Sequence, residues 1–140
     1  MWAYTQGSAH IAQKAFSQAR EHLTALEAFV ELSRKDAGQA GATPNARILE
    51  LAALSLRGEL LEATGDLDGA IKAFETGVAL EDLNNYTEPP DWPQPLRHYL
   101  GAALLKANRA ADAEAVYRRD LQWNHNNGWS LLGLQQALLA

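Results

Sequence analysis

The chain has 140 residues, 47% hydrophobic and 21% charged, which suits one folded domain with a buried core rather than a disordered chain. A net charge of −5 argues against general nucleic-acid binding, and the absence of cysteine excludes disulfides, a thiol nucleophile and thiolate metal sites. It has neither an apolar run of about 18 residues nor a basic-then-apolar start, so no membrane span and no signal peptide are expected, and a cytoplasmic location is the expectation.

Residues 2–14 read as a first helix, with Trp2 expected to pack on the helix that follows. Residues 16–34 read as a long second helix whose inner side carries Ala19, Leu23, Leu26, Phe29 and Val30, with Leu32 as a further candidate. Residues 36–45 hold two glycines and a proline and read as a loop. The stretch 46–63 is a strong helix with Leu51, Leu54, Gly58 and Leu61 on one side. Thr64-Gly65-Asp66 is a turn, with Gly65 as the C-terminal cap of one helix and Asp66 as the N-cap of the next. Residues 67–80 then return as a partner helix along Leu67, Ala70, Ile71, Phe74 and Val78, which completes an αα-hairpin. In the insert 81–93, Pro89, Pro90 and Pro93 forbid a helix interior and stiffen the segment toward an extended form. Helices follow at 94–107, where Pro95 is tolerated in the first turn, at 110–122 and at 129–139.

One spacing recurs. Gly58 precedes Ala70 by 12 positions and Phe74 by 16; Gly101 stands in the same relation to Ala113 and Tyr117, and Gly7 to Ala19 and Leu23. Two antiparallel helices approach closely only where both side chains are small, and a bulky residue one turn later fills the gap beside them.

This pattern resembles the tetratricopeptide repeat, in which a small residue in one helix is followed by Ala-x3-Phe in its partner. The second unit matches through Leu54, Arg57, Gly58, Leu61, Ala70 and Phe74, and the third through Arg97, Leu100, Gly101, Leu104, Ala113 and Tyr117. The first matches through Gly7, Ala19 and Leu23, with Lys14 at the inter-helix turn where glycine is usual. His125 stands where the repeat normally has its closing proline. The resemblance implies an all-α, TPR-like αα-hairpin solenoid of about seven helices, three hairpins plus a C-terminal capping helix. It divides one domain, 1–140, into repeats near 1–35, 46–80 and 94–125, with the insert at 81–93 and a terminal helix at 128–140. The spacings Ala19 to Ala70 and Ala70 to Ala113 are 51 and 43 residues, longer than the repeat's own period, so insertions are expected before the second unit and at 81–93. The run Tyr86-x-Glu-Pro-Pro-x-Trp92, followed by Leu-Gly-Ala-Ala-Leu-Leu, is similar to the last repeats of a group of bacterial tetratricopeptide proteins, which implies a shared shape for the insert.

The resemblance also implies a concave groove lined by the first helices of successive repeats. By position it would hold Tyr4 and Ser8, then Ser55, Glu59 and Glu62, then His98, Tyr99 and Ala102, then Trp129 and Gln136. The Lys, Asn and Arg cluster that clamps a peptide carboxylate in some chaperone cofactors is missing, so that ligand is not expected. Tyr86 or Trp92 of the insert could plug the groove, or both could cap the core between two repeats. The terminal helix carries leucines on more than one side, and Leu132 and Leu139 are the candidate contacts of a homodimer. The four histidines show no metal spacing, and there is no GxSxG, no phosphate-binding loop and no Cys/His pair. The expectation is a non-catalytic module for a protein or peptide partner, with no cofactor, metal, nucleic acid or membrane. The alternatives are a self-assembling module whose groove is filled by its own insert, and a small-ligand carrier or enzyme using His98, Tyr99 and Glu59.

Overall fold

The computed structural model of the protein describes residues 1–37, 44–84, 90 and 92–140. Among them are seven helices and no strand: α1 (Trp2–Ala12), α2 (Phe16–Ala37), α3 (Pro44–Ala63), α4 (Leu67–Glu81), α5 (Leu96–Lys106), α6 (Ala110–Trp123) and α7 (Gly128–Leu139). The all-α class and the helix count therefore stand. Of the segment expected as a loop at 36–45, residues 36–37 belong to α2 and 44–45 to α3, which opens on Pro44, a residue suited to a first turn; residues 38–43 lie outside the described residues. The helices form two units, Met1–Trp92 and Pro93–Ala140.

In the first unit α3 is the centre. It packs against α1, α2 and α4. Its middle is accordingly closed on nearly every side: Leu51, Ala52, Ser55 and Leu56 are fully buried, and Leu60 is almost so. Arg57 reaches out of this helix to Glu27 of α2 at 2.7 Å, and Arg47 holds the end of α4 through the Leu83 carbonyl at 2.8 Å. In the second unit α5, α6 and α7 pack on one another in all three pairs.

The ends of α1, α3 and α5 share one chemistry. Each is followed by a residue in the left-handed region: Lys14 at φ 59°, Gly65 at 92° and Asn108 at 57°. In each, that residue's N–H donates to the carbonyl three residues back, and the next N–H donates to the carbonyl five residues back. The longer bonds are Ala15 to His10 at 2.8 Å, Asp66 to Leu61 at 2.9 Å and Arg109 to Leu104 at 2.9 Å. This double closure satisfies carbonyls that a helix end otherwise leaves open. Asp66 then caps α4, its carboxylate accepting from the Gly69 N–H at 2.9 Å.

The small-residue positions lie where helices touch. Ala19, Ala70 and Ala113 are fully buried. A Cβ on Gly58 would stand under 3.0 Å from the Phe74 ring, and one on Gly101 equally close to the Tyr117 ring. The first unit departs from this rule. Gly7 faces Leu56 of α3, not Leu23, which is only half-buried. Phe29 and Leu32, expected on the inner side of α2, are instead 57% and 56% exposed. The buried line of α2 is Ala19, Leu26 and Val30. At about 100° per residue Phe29 lies roughly 80° off that line and Leu32 still further. Trp2 also remains largely exposed, and its ring meets His22 of α2 edge-on, the centroids 5.4 Å apart.

Candidate binding site

The ten residues expected in one groove fall into two groups, one in each unit. The second group forms a cleft. Pro93, Gln94 and Pro95 lead into it; His98, Tyr99 and Ala102 of α5 form one wall; Trp129, Leu132, Gly133 and Gln136 of α7 form the other; Tyr117 and Asn127 close it. Its volume is about 660 Å³. The local reason is helical spacing. On α5 the core takes Leu96, Arg97, Leu100, Gly101, Ala103 and Leu104, which leaves positions 98, 99 and 102 as one half-buried stripe. On α7 the core takes Ser130, Gly133 and Ala137, and Trp129, Leu132 and Gln136 run alongside. All five groove residues expected here, His98, Tyr99, Ala102, Trp129 and Gln136, thus line one space.

Leu132, expected as a dimer contact, is a cleft residue that is 48% exposed. Leu139 lies two turns further along the same side of α7 and is 80% exposed.

Behind the cleft wall lies a buried acid that sequence reasoning passed over. Asp120 of α6 is 1% exposed. Its carboxylate meets His98 Nε2 at 3.2 Å and accepts from Ser130 Oγ at 2.5 Å and Asn124 Nδ2 at 2.9 Å. Burial alone would push this carboxyl's pKa up. The hydrogen bonds from His98, Ser130 and Asn124, together with the attraction of His98, outweigh burial and hold it below its usual range. One carboxylate therefore joins all three helices of the unit. A signal for it exists in the sequence: Ala113, Tyr117 and Asp120 follow at steps of four and three, so Asp120 continues the buried stripe of α6.

Serine, histidine and aspartate meet here, but not in the order that activates a nucleophile. Activation needs the imidazole between hydroxyl and carboxylate. In this cluster the carboxylate is central, and the fully buried Ser130 hydroxyl gives its proton to Asp120, not to His98. The arrangement positions α5 and α7; it does not prime an attack. Among the described residues no group of three or more His, Asp or Glu is placed to hold a metal ion.

The first group gathers around Glu59 of α3. Tyr4 of α1 donates its hydroxyl to Glu59 Oε1 at 3.1 Å, and Ser55 donates to the same oxygen at 3.4 Å. Burial is the largest influence on Glu59 and raises its pKa, with the nearby charge of Glu62 acting in the same sense. The Ser8, Tyr4 and Ser55 hydroxyls pull the other way without reversing the shift. The Ser8 hydroxyl is buried and meets no partner in full hydrogen-bond geometry. Ser55, expected on the groove surface, is fully buried, because α3 is enclosed by three helices at that level. Trp92, the expected plug, is 4% exposed and packs edge-on against Tyr4, with centroids 5.2 Å apart. Tyr86, the other expected plug, lies outside the described residues.

Comparison of the chain with models of known protein families, with curated proteins and with solved structures finds no significant match. No described helix is long and apolar enough to cross a membrane.

Proposed function

We propose that the chain is a tetratricopeptide-like helical-repeat protein that binds a peptide or protein segment without catalysis, and that the α5–α7 cleft is the site. The observation that carries this reading is the cleft itself: about 660 Å³, walled by aromatic and amide side chains on two helices. That volume lies in the range of sites that bury small ligands or a few side chains. Its walls are helices held by a buried carboxylate, so the binding residues are already fixed and little order is lost on association. The repeat assignment draws support from the three matching helix ends and from the glycine-on-ring contacts at Gly58 and Gly101.

The test is a displayed peptide library panned on the wild-type chain and on Trp129→Ala. Sequences enriched on wild type and lost on the variant are the expected result. No enrichment, or enrichment indifferent to Trp129, refutes the reading.

A second reading is favoured by one helix. Leu131, Leu132, Leu138 and Leu139 of α7 are all at least 48% exposed, as is Trp129. So much apolar surface on 12 residues suits self-association through α7. Light scattering over a concentration series on wild type and Leu139→Glu separates the two: a dimer that the charge dissolves supports self-association, and a monomer throughout removes it.

A further inference from the structure

We propose that the α5–α7 cleft selects a proline-rich segment in the polyproline II conformation; this rests on the peptide-binding reading above and names its ligand. The argument is a census of what the cleft offers. None of its described lining residues is Lys, Arg, Asp or Glu, so it has no fixed charge to attract an ionic partner. Two of its three side-chain amide oxygens are already engaged, and the Gln136 amide offers an acceptor beside its donors. Asn127 Oδ1 accepts from the N–H groups of Trp129 at 2.9 Å and Ser130 at 3.2 Å, and Gln94 Oε1 accepts from the Tyr99 hydroxyl. Among the described residues the amide N–H groups of Asn127 and Gln94 donate no hydrogen bond and can serve a ligand. The Trp129 indole adds an N–H that can only donate.

An uncharged site with more open donors than open acceptors fits a backbone that has carbonyls but few N–H groups. Proline is the residue that lacks the backbone N–H. In polyproline II no carbonyl is used internally, so each remains open to a donor from outside. The apolar part of the match is aromatic. Tyr99 and Tyr117 line the cleft, and Trp129 stands at its rim 73% exposed, its ring face available to a pyrrolidine. Lengths agree as well. Trp129 to Gln136 spans roughly 10 Å of helix at about 1.5 Å per residue, which is one polyproline II turn of three residues at about 3.1 Å each. Such a segment is extended before it binds, which lowers the ordering cost.

The test uses the full chain, labelled with 15N, and three peptides: acetylated, amidated proline decamer; a Gly/Ser peptide of equal length; and an acidic peptide with a free C-terminal carboxylate. The proline peptide is expected to shift the Trp129 indole signal and the side-chain amides of Asn127, Gln94 and Gln136. Trp129→Ala is expected to weaken it about tenfold or more, since an aromatic anchor commonly carries that much of an interface. Trp129 is exposed, so the variant keeps its fold, and the unchanged amide spectrum of α6 verifies this. Binding of the Gly/Ser or acidic peptide at the same residues with equal or greater affinity overturns the proline assignment. So does proline binding that leaves the Trp129 signal unmoved. If the proline peptide fails while a library-derived peptide binds through Trp129, the ligand class is wrong and the cleft reading survives. If no peptide binds, both fall.

Discussion

Tyr117 is clamped from two sides, and a single methyl group tests the clamp. A Cβ at Gly101 of α5 and a Cβ at Gly133 of α7 would each come within 3.0 Å of the same end of its ring. The ring is 4% exposed, and moving away from one helix drives it toward the other. Gly→Ala inside a helix normally stabilises by about 1 kcal/mol. Overpacking a closed core costs about 1–3 kcal/mol, and the two-sided clamp argues for the upper end. Gly101→Ala is therefore expected to destabilise the second unit by about 2 kcal/mol net. Replacing the ring should reverse the sign. In a Tyr117→Leu background the clashing atoms are gone, and Gly101→Ala should stabilise by up to about 1 kcal/mol, a coupling of about 3 kcal/mol. Gly128, whose Cβ would meet nothing within 4 Å, is the control, and Gly128→Ala should not destabilise. Urea unfolding followed by the NMR signals of α5, α6 and α7 reads the effect in the unit that carries it. Equal tolerance at Gly101 and Gly128, or no dependence on Tyr117, would refute the clamp.

Three further outcomes follow from local chemistry. Lys14 holds a left-handed conformation that costs a side-chain-bearing residue about 1–2 kcal/mol, partly offset by the entropy glycine loses, so Lys14→Gly should stabilise by about 1 kcal/mol, with Asn108→Gly gaining less because asparagine tolerates the region. Differential thermal unfolding checks this, and a loss at either position contradicts it. The folded-state pKa of Asp120 is depressed below its ordinary 3.8, so its stabilisation is full above that value and disappears as pH falls through the folded pKa. Asp120→Asn should cost about 2 kcal/mol near neutrality, and the gap to wild type should narrow below about pH 4; a pH-independent gap would count against it. Glu59 has the opposite sign: its pKa is raised, mainly by burial, so stability falls as pH rises from its ordinary 4.5, and the loss is complete above the raised folded value. Glu59→Gln keeps an acceptor for Tyr4 and should raise the stability of the first unit at pH 7 while leaving it little changed at pH 3, as measured by urea midpoints.

How far the chain could be read in advance depended on the range of the interactions. Helix ends were legible, because they are set by residues within a turn of each other: Thr64-Gly65-Asp66 announced both a C-cap and an N-cap, and both are present. The glycine spacing also carried, for Gly58 and Gly101, because each meets a ring within its own hairpin. It failed at Gly7, whose neighbour Leu56 comes from a different hairpin and cannot be found by extending the same count. Phe29 and Leu32 were misjudged because a long helix offers several apolar lines and only packing chooses among them. Five of the ten groove positions meet in the α5–α7 cleft, since first-helix stripes follow directly from the 3.6-residue period. Asp120 was missed because an acid after two arginines looks like ordinary surface, and its partners lie 22 residues before and 10 residues after it.

That buried carboxylate also explains how the cleft keeps its width. Gly133 of α7 lies against the Tyr117 ring of α6, and a small residue on a ring can slide along the helix axis at little cost. The Ser130–Asp120 bond, one turn earlier on the same buried line of α7, cannot slide, because it is short and directional and its loss would strand a charge away from water. The His98–Asp120 bond imposes the same condition on α5. Both walls of the cleft are thus registered to one carboxylate through residues one position away from Trp129 and Tyr99. On the proposed peptide-binding reading, Ser130→Ala should alter peptide affinity without touching the peptide, while Gln136→Ala should alter it by direct contact; only the first should also shift the α6 amide signals in the free protein.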